Sequence, residues 1–374
     1  MDFIGSLLFY FFILFLLLLF SIPRNGNNKR YKLFAFLSFC ILLFFYTFRA
    51  YSVGWDTIPY VDIYTRVSQI NVAEFYMEPG WIYLNKLLYG ISHSPHMLFL
   101  GAGILGIGSF FFVAKRISYN FPLSVILYYT LCQWFNLMNQ VRCQIAICIC
   151  MISFYCFYKY KYKLSFLFII IAFFIHNSSV VFIPFLIFVY YFKELTGKVY
   201  ALILIVVSAL FVLFDYIYEF LTLYFFASYA TESSLIRHTK GGNLKIFIFV
   251  FVIWLIISYI DHKYRNQSYS NMLMKENGTN IIRLHNMLKI AIIFSMCLQL
   301  ISINNTMIAR FANFFTIYLV ILIPNTLVQI SNPVERIIYK FVFMIITVTY
   351  MVISLAFSEN GFGRDGVMPY ILDF

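Results

Sequence analysis

Long apolar runs separated by short polar connections make up most of the chain. Runs over 3–22, 31–48, 97–114, 121–138, 141–158, 164–175, 178–192, 199–218, 243–260, 286–303, 310–330 and 338–357 each read as a helix. Most approach the ~20 apolar residues that cross ~30 Å of hydrocarbon. Spanning backbone must satisfy its own hydrogen bonds, which favours helices over open strands. The pattern predicts an all-α polytopic integral membrane protein with about twelve membrane helices, forming one transmembrane domain over residues 1–374. The runs 164–175 and 178–192 are too short to cross singly, since an arm of about twelve residues reaches only ~18 Å. Both outer ends of this pair are basic, Lys159-Tyr160-Lys161-Tyr162-Lys163 and Lys193-Glu194-Leu195-Thr196-Gly197-Lys198. The pair therefore reads as a two-arm helical hairpin, 164–192, with His176 and Asn177 at its tip.

The segment 49–96 is too polar to span, yet it carries Trp55, Tyr60, Tyr64, Phe75, Tyr76, Trp81 and Tyr83. Such aromatic density predicts an outer loop of short amphipathic helices lying at the interface. Composition agrees with a membrane chain: 62% of residues are hydrophobic and 11% charged, against about 25% charged in soluble domains. The net charge of +12 would suit nucleic acid if it were clustered. It is instead distributed by side. With both termini outside, the connections 23–32, 115–120, 159–163, 193–198, 261–289 and 331–340 face the cytoplasm. They hold 18 of the 27 basic residues and 4 of the 15 acidic ones. The positive-inside rule accounts for that bias, with membrane lipid and no nucleic acid as the partner. The seven cysteines lie in apolar segments without zinc-ligand spacing and read as packing residues, not a disulfide framework. The run Phe3 to Phe20 lacks a basic n-region and a cleavage site, so it reads as a retained helix.

The basic residues left on the depleted side are candidates for chemistry, because charge at membrane depth is costly. Arg142 stands in Asn139-Gln140-Val141-Arg142-Cys143-Gln144, at the start of an apolar run. A cation among amides at a helix N-terminus suits an anion; snorkelling to outer headgroups is the plainer alternative. Arg310 opens another helix on the same side, Arg49 closes the second helix, and Arg364 lies in the tail. A guanidinium grips phosphate oxygens bidentately and stays charged in a low dielectric. His176 is either a packed histidine or a general base. Asp56, in Gly54-Trp55-Asp56, and Glu78, in Glu78-Pro79-Gly80-Trp81, supply acids that also fit helix starts or partners for the arginines. Nucleotide and metal motifs are missing from the sequence, so no cofactor and no metal are expected.

Taken in order, Arg49 with Gly54-Trp55-Asp56, Glu78-Pro79-Gly80, Asn139-Gln140-Val141-Arg142-Cys143-Gln144, His176 and the tail Gly363-Arg364-Asp365 with Met368-Pro369-Tyr370 resemble the EpsG family of Wzy-like polysaccharide polymerases. In the family's pattern the arginine adjoins the glutamine; here Cys143 stands between Arg142 and Gln144. The resemblance implies a glycosyltransferase of the bacterial inner membrane acting at its outer face on undecaprenyl-diphosphate-linked oligosaccharide, for O-antigen, capsule or exopolysaccharide, with a chain-length regulator as a further partner. A sugar hydroxyl of one unit would attack the anomeric carbon bearing diphosphate on another, with inversion and without metal. On this reading His176, then Asp56 or Glu78, serve as base. Arg49, Arg142, Arg310, Arg364, Gln140, Gln144, Asn177, Tyr60 and Tyr370 bind diphosphate and sugar. An O-antigen ligase-like transferase would hand the same donor to another acceptor. A flippase or other transporter should show repeat symmetry and a charged midplane path, whereas here the polar residues crowd one side.

Overall fold

A computed structural model describes residues 2–21, 28–192, scattered positions between 196 and 216, 244–273, 278–303, 308–356 and 366–373. Among these residues the structure is all helical, with an isolated backbone bridge between Arg49 and Leu372. Among the described residues, eight helical segments are long and apolar enough to cross a membrane: Phe3–Phe20, Lys29–Thr47, Pro95–Ile117, Val141–Tyr158, Leu244–Tyr264, Asn280–Ile301, Ile308–Leu327 and Pro333–Ala356. The chain is a multi-pass membrane protein. Most of the run 199–218 and all of the segment 219–242 lie outside the described residues.

Two sequence-predicted spans are broken. Residues 121–138 form Phe121–Thr130 and Gln133–Asn139, because Cys132 takes a left-handed conformation at φ 60°. Residues 310–330 form Ile308–Thr316 and Leu319–Leu327. Nothing in the hydropathy marks either break, since both sides stay apolar.

The contacts divide the chain into two compact units, one of residues 1–180, 323–328 and 332–374, the other of 181–322 and 329–331. The first contains, in chain order, α1 (Phe3–Phe20), α2 (Asn28–Thr47), α3 (Thr57–Thr65), α4 (Pro79–Tyr89), α5 (Pro95–Ile117), α6 (Phe121–Thr130), α7 (Gln133–Asn139), α8 (Val141–Tyr158) and α9 (Tyr162–Ile175). Its centre is α8, whose window is 78% buried against 28% for α1 and α2. The polar segment 49–96 does fold into short helices, α3 and α4 among them.

Helices α8 and α9 form a tight antiparallel hairpin. Tyr160, at φ 59°, turns the chain, and the Lys161 amide donates to the Cys156 carbonyl at 2.9 Å. One turn further in, the Ser153 hydroxyl donates to the Ser165 carbonyl at 2.8 Å. The basic turn Lys159 to Lys163 therefore closes one end of the pair. At ~1.5 Å per residue, α8 carries its own N-terminus ~27 Å away. The described partner of α9 is thus α8, and the second arm expected for the 164–192 hairpin, Phe182–Tyr191, belongs to the other unit.

The C-terminal tail threads back into the first unit. Tyr10 donates its hydroxyl to the Val367 carbonyl at 2.6 Å, and Tyr370 donates to Phe45 at 2.6 Å. The Ala50 and Asp373 amides bond Ile371 and Phe48 across the end of α2. Tyr370, fully buried, stacks on Phe9 at 4.5 Å. Tyr370→Phe should cost about 1–3 kcal/mol, since it leaves the Phe45 carbonyl in a dry site without its donor. A fall in thermal midpoint of the purified protein measures it; an unchanged midpoint would show the bond to be dispensable.

In the second unit, Leu244–Leu273 and Gly278–Ile301 are joined by polar side chains: Lys289 Nζ donates to Asp261 at 2.6 Å and His285 Nε2 lies 3.0 Å from both Asp261 oxygens. Ser295 and Thr316 pair at 2.6 Å, tying Gly278–Ile301 to Ile308–Thr316.

Candidate functional site

The end of the α8–α9 hairpin opposite its basic turn gathers charge. Arg142 is the second residue of α8. Helix α9 stops at Ile175, and His176 is extended, its amide still donating to the Ala172 carbonyl at 2.8 Å. Glu78 precedes α4, where Pro79 presets the first helical turn. Gly80 lets α4 settle on the end of α9: a Cβ there would stand 2.6 Å from the Phe174 carbonyl oxygen. Gly80→Ala should therefore displace Glu78 and cost about 1–3 kcal/mol, as overpacking does. A lowered thermal midpoint is the readout, and wild-type stability would show that the contact gives way freely.

One carboxylate organises the site. Glu78 Oε2 accepts from Arg142 Nη1. Glu78 Oε1 lies 3.1 Å from His176 Nδ1 and accepts the Asn177 amide at 3.1 Å. The side chains of Glu78, His176 and Arg142 are 9%, 13% and 19% exposed, so the group is largely dry but reachable. Burial by itself raises the Glu78 carboxyl. The hydrogen bond from His176, the charge of Arg142 and the Asn177 amide outweigh it and hold the group down to about 2. Its folded value lies below the ordinary 4.5, so the stabilisation it contributes is complete above pH 4.5 and is lost as pH falls toward 2. Thermal stability of the wild type should drop across that window more steeply than that of Glu78→Gln; parallel curves would remove Glu78 from the pH dependence.

Aromatics line one side. The Arg142 guanidinium lies 5.8 Å from the Tyr60 ring, a loose cation–π distance, and Tyr60 packs edge-on against Trp81 at 5.5 Å. Asp56 reaches the same neighbourhood: its charge acts on Tyr60, and its amide donates to the Asn139 side chain at 3.1 Å. Gly54, at φ 98°, brings this loop against the Met138 carbonyl, where any Cβ would clash at 2.5 Å. Structure thus brings Glu78, Arg142, His176, the Asn177 backbone and Tyr60 together, with Asp56 beside them.

Arg49 and Tyr370, also expected at the site, are engaged elsewhere in the first unit. Arg49 is fully buried, bonded to the carbonyls of Tyr46, Val53 and Met138 and sandwiched by the Tyr46 and Phe99 rings at 4.2 and 4.1 Å. It braces the chain between α2, the 49–55 loop and α7. Tyr370 belongs to the tail packing already described. Gln144 is two residues from Arg142 on α8, which at ~100° per residue turns it to the far side of the helix, while Gln140 caps the helix start with non-helical backbone. Gln144 is fully buried, and its amide finds no partner among the described residues. Arg310 is exposed on Ile308–Thr316 in the second unit, and Arg364 lies outside the described residues. Asn139, Trp81 and Cys143 join the site unforeseen, although all three stand inside the motifs that marked their neighbours.

No curated protein and no solved structure matches this chain. A family model, the EpsG family, matches residues 32–372, nearly the whole length. With the Glu78–Arg142–His176 site inside that span, the chain belongs to the EpsG family, a family of Wzy-like polysaccharide polymerase-type membrane proteins.

Proposed function

We propose that the chain polymerises lipid-linked oligosaccharide repeat units at the extracytoplasmic face of a bacterial inner membrane, moving the growing glycan from undecaprenyl diphosphate to a sugar hydroxyl of another unit. The observation that carries this is the single carboxylate, Glu78, holding Arg142, His176 and the Asn177 amide at once. By accepting a proton-bearing Nδ1, Glu78 fixes the tautomer in which Nε2 is the base. Nε2 closes no hydrogen bond of ordinary geometry among the described residues, which leaves it open to a substrate hydroxyl. His176 takes the proton of the attacking hydroxyl, the C–O bond to the acceptor forms, and the anomeric C–O bond to diphosphate breaks with inversion.

Diphosphate is already a good leaving group, so the main demand is positive charge where negative charge grows. Arg142 meets it, the incoming diphosphate competing with Glu78 for the guanidinium fork. Tyr60 and Trp81, buried against each other, wall the site on the Arg142 side. Asp56, at the edge, is placed for sugar hydroxyls and not for the proton transfer. The basic turn at the other end of the α8–α9 hairpin supports the outward placement of the site, since basic connections stay inside.

Purified protein given a lipid-linked repeat unit should yield a ladder of longer glycans; absence of a ladder from the native repeat unit would overturn the proposal. In the same assay Arg142→Lys should lower turnover about a hundredfold, because an ammonium keeps the charge but not the fork. Undiminished activity in that variant would take Arg142 out of diphosphate binding.

A further inference from the structure

Cys143 is the residue that interrupts the family's arginine–glutamine pair, and it sits on the side of His176 that Glu78 does not hold. The Ser153–Ser165 contact sets the antiparallel register of α8 and α9. About ten residues along α8 lead from it to Cys143 and about eleven along α9 lead to His176, so thiol and imidazole come level. The sulfur stands against the ring as its second polar neighbour. Nδ1 is occupied by Glu78, and Nε2 closes no hydrogen bond of ordinary geometry. Nucleophile, base and orienting carboxylate then lie in the sequence that activates thiols elsewhere in protein chemistry. Cys143 is also in the first turn of α8, next to Arg142.

We propose that Cys143, His176 and Glu78 act as a thiol–imidazole–carboxylate triad, making Cys143 a modification site for small disulfides through which the charged site is reversibly blocked. His176 Nε2 takes the thiol proton, and Cys143 Sγ attacks one sulfur of the incoming disulfide. The old S–S bond breaks as the new one forms, and the departing thiolate takes the proton back from His176. The group left on Cys143 fills the space beside Nε2 that a substrate hydroxyl needs. A thiol reductant reverses each step and restores the site.

The other cysteines supply internal controls. All seven are free. Cys148 and Cys150 are fully buried on the same helix, while Cys40 and Cys297 are more exposed than Cys143, which is 4% exposed. The full-length protein in detergent is treated briefly with methyl methanethiosulfonate, quenched, and read cysteine by cysteine by peptide mass spectrometry. Cys143 is expected to be labelled ahead of the more accessible Cys40 and Cys297, and dithiothreitol to remove the label. In His176→Ala and in Glu78→Gln, labelling of Cys143 should slow about tenfold while Cys40 and Cys297 keep their rates, which also reports that the fold is intact. Labelling of Cys143 behind Cys40 and Cys297 in the wild type, or at an unchanged rate in both variants, would overturn the triad. The readout is mass, so its failure leaves the glycan-transfer proposal standing, and failure of glycan transfer leaves the triad standing.

Discussion

Glu78→Gln is expected to lower glycan transfer by ~10³-fold, the scale on which orienting carboxylates act on a histidine base. Glutamine keeps the length of the side chain and one oxygen for Nδ1, but it removes the charge that Arg142, His176 and Asn177 share. The imidazole loses its fixed tautomer, and Arg142 loses its counter-charge in a largely dry setting. Removing one partner from a fully buried ion pair costs ~3–5 kcal/mol. Arg142 is 19% exposed, so roughly half that is expected as lost stability after solvent screening. Turnover and thermal midpoint should therefore fall together. Retention of turnover within about threefold would mean that the carboxylate does not orient the base.

His176→Ala carries the second large effect, a loss of ~10²–10⁴ in turnover with little change in the apparent affinity for the lipid-linked unit. The split follows from position, since the imidazole acts on the proton in flight and Arg142 remains to hold diphosphate. The pH profile sharpens the test. With its carboxyl held at about 2, Glu78 is ionised throughout the working range, so the limb along which the rate climbs with pH belongs to His176. Burial lowers the imidazole, but Cys143 and Glu78 together raise it to about 9, and the rate should still be rising above neutral pH. The residual rate of His176→Ala should be flat across that limb. Glu78→Gln combined with His176→Ala should be about as slow as the worse single variant, because residues acting as one unit are strongly non-additive. Multiplicative losses would show that the two side chains act separately.

The parts of this site differ in how far the amino-acid order reveals them. Helices such as Pro95–Ile117 and Val141–Tyr158 are legible because a span needs only length and apolarity. Glu78, Arg142 and His176 stand out because charged or titratable groups at membrane depth are costly and few. Their convergence is harder to read. It depends on the turn at Tyr160, a non-glycine residue at positive φ, which pairs α9 with α8 and lifts His176 to the level of Arg142. It depends also on Gly80, whose missing Cβ lets α4 approach Phe174.

Arg49 shows why a cation on the depleted side is not enough. Its position after α2 fits an interfacial anion site, but the chain folds back over it and fills its donors with carbonyls of Tyr46, Val53 and Met138. Gln144 is near Arg142 in depth and far from it in angle, a distinction carried by helical periodicity alone. The break at Cys132 has no counterpart in hydropathy, because burial surrounds it on both sides.

The most direct measurement is the stoichiometry of the reaction itself. Purified wild-type protein, supplied with the lipid-linked repeat unit and no nucleotide sugar, is assayed for new glycosidic bonds and for undecaprenyl diphosphate in the same samples. One diphosphate carrier released per bond formed, both vanishing together in His176→Ala, is the expected result. Carrier release without bond formation, or equal rates in wild type and His176→Ala, would contradict glycan transfer at the Glu78–Arg142–His176 site.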